Sequence, residues 1–114
     1  MATSELFQFG QDVPWERAGE GVQRQILAYD DKLMTVKVRF EQGAVGAMHS
    51  HPHSQATYIE SGVFSMTIGD IVKEIRAGDG YYVPPHAVHG ITCLEAGVLI
   101  DLFSPLREDF LVKS

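Results

Sequence analysis

All five histidines of the chain lie between positions 49 and 89, in two groups: His49-Ser50-His51-Pro52-His53-Ser54-Gln55 and Pro85-His86-Ala87-Val88-His89. Along an extended strand, side chains two apart project to the same side, so His49 and His51 can bring two imidazole nitrogens to one point. An isolated pair at that spacing is more often hydrogen-bonded than ligating. A second group in the same chain reverses that weighting, because imidazole is the commonest metal-ligating side chain and strands hold ligands without the cost of ordering a loop. The cofactor this pattern points to is a divalent transition metal, and a histidine-rich site accepts Ni, Zn, Fe, Mn, Co or Cu. His53, behind the bend at Pro52, and His86, in the Pro84-Pro85 turn, are expected at the rim of such a site or behind its ligands. Cys93 is expected to be a buried packing residue, since no activating base is identified beside it.

The segments around these residues read as strands. From Leu33 to Glu41, Met34, Val36, Val38 and Phe40 alternate with Thr35, Lys37, Arg39 and Glu41, the period of a half-buried β-strand. The alternation returns from Gly62 to Gly69, and Gly69-Asp70 supplies a tight turn into Ile71 to Arg76, which predicts a hairpin. Further strands are expected at Val22 to Tyr29, Ala56 to Glu60, Tyr81 to Val83, Val88 to Cys93 and Val98 to Phe103, punctuated by glycines and prolines. Met1 to Gly19 reads as loop, and Ser104 to Ser114 as a polar tail with at most one helical turn. No amphipathic helix interrupts the strands, which points to an all-β barrel or sandwich of jelly-roll size.

Composition narrows the function classes. A length of 114 residues suits one domain, 1–114, with a barrel core at about 20–103. Nine Lys and Arg against fifteen Asp and Glu leave a charge of −6, the wrong sign for nucleic acid. A single cysteine allows no intrachain disulfide and no cysteine-rich zinc motif, and with no export-like leader or membrane span the expected compartment is the cytoplasm.

The two histidine groups, with their flanking glycines, resemble the two motifs of the cupins. Gly46 to Gly62 matches the first, with a glycine, the H-x-H pair, a further ligand and a closing glycine. Gly78 to His89 matches the second, in which proline follows glycine by six residues and a metal-binding histidine follows by five more. The resemblance implies a cupin jelly-roll β-barrel (double-stranded β-helix) with His49, His51, Gln55 and His89 as metal ligands. Gln55 stands where cupins usually carry Glu, and an amide oxygen can also ligate. Three imidazoles and an amide leave the ion's charge uncompensated, which favours an anionic partner. A homodimer is also implied, and sheet edges needing cover give it a physical reason.

A narrower resemblance covers H-S-H-P-H-S-Q, Asp12-Val13-Pro14-Trp15-Glu16 and the run from Cys93 to Phe110. These segments are similar to the small pectin-degradation cupins that linearise 4,5-unsaturated uronates. By position, that family implies catalytic contributions from Asp101, Phe103 and Arg107, and a small anionic sugar as substrate. The implied reaction opens a cyclic unsaturated uronate to the linear 5-keto-4-deoxy form, with Asp101 as proton carrier, Phe103 as a pocket wall and Arg107 as a carboxylate fork. Two other readings keep the same ligands: a metal-binding, sugar-sensing module without turnover, and a small cupin dioxygenase or lyase. An Asp101 pointing away from the metal would favour the first, and oxygen uptake the second.

Overall fold

The computed structural model describes residues 2–111. The periodic segment forms β3 (Leu33–Phe40), in which Met34, Val36, Val38 and Phe40 are buried as the alternation predicts. β2 (Val22–Asp30) pairs with it antiparallel, and β1 (Glu16–Gly19) adds an edge strand within the segment read as loop. β4 (Val45–His49) is a second strand not anticipated, its glycine and histidine content masking the pattern. The hairpin is present: β5 (Ser54–Ile68) turns at Gly69, with φ +62°, into β6 (Ile71–Arg76). β7 (Gly80–Val83), β8 (His89–Ser104) and a single helical turn, α1 (Glu108–Leu111), complete the described chain. The expected tail beyond residue 111 lies outside the described residues.

Two pairs of expected strands prove to be continuous. Ala56 to Glu60 and the next strand merge into β5, and the two last strands merge into β8. Gly62 and Gly97 mark the place where the paired strands β5 and β8 bulge against each other. A Cβ on Gly97 would stand 2.1 Å from the Ser61 carbonyl oxygen and 2.6 Å from the Gly62 Cα. The glycines therefore permit a close backbone approach within long strands instead of ending them. The pairing register shifts three times between Ile59 and Phe64, as bulges that bend a sheet do.

The sheet runs β1-β2-β3-β8-β5-β6, with β4 on β8 and β7 on β5. Its bend turns the sheet on itself around one apolar cluster, where Phe40 of β3 meets Phe64 of β5 edge-on at 5.3 Å although those strands share no hydrogen bonds. This is the all-β jelly roll expected from the strand pattern.

Candidate metal centre and its cavity

Two strand ends and a loop bring the histidines together. His49 closes β4 and lies directly across from His89, which opens β8. Their rings are 4.4 Å apart, and the His51 ring stands 4.9 Å from His89 and 5.7 Å from His49. The nitrogens of His49, His51 and His89 lie within 4.8 Å of one another, so the three can hold a metal ion. His51 is not on the strand with His49: it lies in the loop after β4. The convergence comes from that loop folding back, held by the His86 N–H donating to the His51 carbonyl at 2.8 Å. His86 itself is exposed with φ +69°, while His53 is half-buried, its Nδ1 buried without a hydrogen-bond partner.

The ring orientations suit a cation. His49 Nδ1 and His89 Nδ1 each lie 2.9 Å from a backbone carbonyl, Ala47 and Ala87 respectively, which places the N–H there and leaves Nε2 with its lone pair. His51 has an oxygen acceptor on both sides: the His53 carbonyl at 3.2 Å from Nδ1 and Gln55 Oε1 at 3.0 Å from Nε2. Both contacts can be hydrogen bonds only if the ring carries two protons. Burial opposes that, lowering the pKa of His51, with Arg107, His89 and His49 pushing the same way against the Gln55 bond. A neutral ring with its proton on Nδ1 aims the Nε2 lone pair at the Gln55 oxygen, and a cation between them satisfies both. Burial likewise lowers the pKa of His89.

Gln55 is oriented from its other end. Its Nε2 donates to Thr57 Oγ1 and to Asp101 Oδ1, each at 3.1 Å, so Oε1 faces the histidines. Thr57 donates to the same Asp101 Oδ1 at 2.6 Å. These contacts follow from register: Thr57 on β5 lies between Tyr81 on β7 and Asp101 on β8, and Gln55 lies between Val83 and Phe103 in the next row. Burial raises the Asp101 pKa to about 6, against the stabilising bonds from Thr57 and Gln55. Both hydrogen bonds go to Oδ1, leaving Oδ2 as the oxygen to carry a proton.

Phe103 is buried, with its ring 5.7 Å from that of His51 and 5.7 Å from that of Phe110. Arg107 lies beyond the end of β8 with its guanidinium 5.1 Å from the Phe103 ring centre and bonded to Asp109. Gln55, His49, His89, Asp101, Phe103 and Arg107 all line one cavity of about 220 Å³. Cys93 is buried in the apolar part of the interior, and burial raises its thiol pKa.

Two lining residues, Tyr81 and Arg24, were not singled out in the sequence, nor was Thr57, which bonds to Gln55 and Asp101. Thr57 shares strand parity with Gln55, a signal that follows once Gln55 is placed. Tyr81 sits inward beside an outward Tyr82, and burial followed by Asp101 raises its pKa, keeping the phenol protonated. Arg24 shares the inward parity of Val22 on β2.

A jelly roll with three histidines converging at strand ends defines a class, and the family model of the cupin domain matches residues 36–103: the chain belongs to the cupins. Within that family it is 42% identical over 102 residues to the pectin degradation protein KdgF of Dickeya dadantii (strain 3937), covering 88% of this chain and 93% of that protein. Among solved structures, an RmlC-like cupin from Shewanella frigidimarina NCIMB 400 is 45% identical with a TM-score of 0.94, covering 96% of this chain and 99% of that one. KdgF from Halomonas sp. is 36% identical with a TM-score of 0.89, covering 94% of this chain and 99% of the other.

Proposed function

We propose that the protein is a single-domain, metal-dependent cupin that opens 4,5-unsaturated uronates to their linear 5-keto-4-deoxy forms in the cytoplasm. The likeness to a pectin degradation protein along nearly its whole length supports the substrate class. The observation that carries the reaction is the half-buried carboxyl of Asp101, which faces the same cavity as His49 and His89 with a pKa raised to about 6. A group of that acidity can accept and return a proton near neutral pH.

In the substrate, loss of the anomeric hydroxyl proton forms the C1 aldehyde as the bond from C1 to the ring oxygen breaks. The electron pair passes to that oxygen, already part of an enol ether, and protonation at C4 completes the ketone at C5. Atoms balance, because one proton leaves oxygen and one arrives at carbon. Asp101 Oδ2 is the group to take the first proton and deliver the second. His49, His51, Gln55 and His89 would hold a divalent metal, which when bound would supply Lewis acidity toward a developing oxyanion. Phe103 forms a wall of the cavity and excludes water, while Arg107 contributes positive charge near its mouth.

The test is turnover of lyase-generated unsaturated galacturonate and its alginate counterpart, followed by loss of the conjugated enol ether absorbance. Asp101→Asn keeps shape and metal but cannot exchange a proton, and turnover should fall about 10²- to 10⁴-fold. His89→Ala should lower bound metal at least tenfold by elemental analysis. A parent protein that binds both sugars without converting either overturns the enzymatic reading in favour of a sensor. The same reading makes the protein a homodimer, supported by Tyr58, Tyr82 and Leu102, which stand exposed on neighbouring strands. Sedimentation as a monomer at working concentrations removes that part.

A further inference from the structure

Arg24 is an inward-facing cation in an apolar row. Its neighbours across the sheet are Val38 on β3, then Leu99 on β8, then Ile59 on β5, all of them buried. Arginine at such a position is costly to desolvate unless it is paired, and its Nε donates to Glu16 Oε1 at 2.8 Å. The guanidinium carbon also stands 3.8 Å from the centre of the Phe110 ring. Stacking of that kind uses the flat face of the guanidinium and leaves the in-plane N–H groups directed past the ring edge. Glu16 takes the Nε donor, and no described residue is hydrogen-bonded to either terminal nitrogen of Arg24.

Arg107 differs in the donors it has left. It lies 4.3 Å from the same Phe110 ring centre, but its Nε and Nη2 are both occupied, donating to the two carboxylate oxygens of Asp109 at 3.1 and 2.9 Å. That pairing closes the fork with which arginine usually grips a carboxylate. Of the two guanidiniums lining the cavity, only that of Arg24 has both terminal nitrogens without a hydrogen bond to any described residue.

We propose that Arg24 is a second substrate-binding residue of the cavity, donating from its terminal nitrogens to the carboxylate of an acidic monosaccharide. This inference rests on the uronate reading for its ligand class. A local cation is needed in any case, since a chain of charge −6 repels anions overall. The cavity, at about 220 Å³, is smaller than the roughly 300–1,000 Å³ typical of sites for drug-sized ligands and suits one sugar ring.

The experiment uses the metal-loaded protein and the variants Arg24→Gln, Arg24→Lys and Phe110→Leu at matched metal content. Two readouts are taken: kcat and KM on unsaturated galacturonate, and calorimetric affinity for saturated galacturonate against neutral galactose. Arg24→Gln should raise KM about tenfold to a hundredfold and weaken galacturonate binding to a similar degree, with galactose affected less. Arg24→Lys should fall between parent and Gln, because it keeps the charge and loses the fork, and it keeps the comparison readable if Gln impairs folding. Phe110→Leu should raise KM less than Arg24→Gln does. If Phe110→Leu matches Arg24→Gln, Arg24 merely positions α1 and the proposal fails. It fails also if Arg24→Gln leaves KM and the galacturonate-to-galactose preference at parental values. A parent that binds galacturonate through Arg24 but turns over no unsaturated uronate overturns the proposed reaction and leaves this site standing.

Discussion

The two halves of β5 bury opposite parities, odd-numbered residues before the register shifts and even-numbered residues after them, and they do opposite things. From Ser54 to Ile59 the strand buries Gln55 and Thr57, both hydrogen-bonded into the Asp101 carboxyl. From Val63 to Ile68 it buries Phe64 and Met66 against hydrocarbon from β3, β6 and β8. A polar group in the interior stabilises only while every partner is present, whereas a packed apolar side chain contributes through area and contact alone. The first half therefore carries the chemistry, and the second carries a larger share of the stability. Gly62 and Gly97 sit where one half gives way to the other.

The sharpest way to break this division is at the contact of those two glycines. Gly97→Ala forces a methyl group to within 2.1 Å of a backbone oxygen, so the loss should exceed about 4 kcal/mol and leave the chain largely unfolded by circular dichroism. A melt within a few degrees of the parent would mean that the two halves can separate there without consequence. Next in size is Phe64→Ala, which removes a fully buried ring and its edge contact with Phe40 and should cost about 3–5 kcal/mol in denaturant melts. At a temperature where that variant is still folded, its metal content should match the parent.

Thr57→Val tests the other half. It keeps the volume but leaves Asp101 Oδ1 without its 2.6 Å hydroxyl donor, at a cost of about 1–3 kcal/mol. Turnover should suffer more than stability does, the reverse of Phe64→Ala. A thermal loss larger than that of Phe64→Ala would invert the assignment of the two halves. The smallest effect belongs outside both, at the exposed pair of Arg17 and Glu20, whose side chains are 74% and 96% accessible. Arg17→Ala should move Tm by less than about 2 °C, since solvent screens such pairs.

Much of this molecule is legible from residue types and spacing. The alternation in β3 and the turn at Gly69-Asp70 are local, because a strand's period and a glycine's access to positive φ need no distant partner. The histidine spacing is local too, and it carries the metal-binding character. The continuity of β5 and β8 is not: a glycine that ends a strand and one that lets two backbones touch look the same in sequence. Nor is the inward aim of Arg24, Thr57 and Tyr81, which depends on the register each strand takes against its neighbours. The Asp101 carboxyl marks the boundary most clearly. Its place on a strand can be read from the chain, but its raised pKa comes from burial, offset by Thr57 and by a Gln55 side chain 46 residues away. Sequence by itself determined the β character of the chain, the alternation of β3 and the donor atoms, because those follow from periodicity and functional groups. Only the tertiary structure decided which donors meet and which charges lose their water, because desolvation and distance are properties of the packed chain.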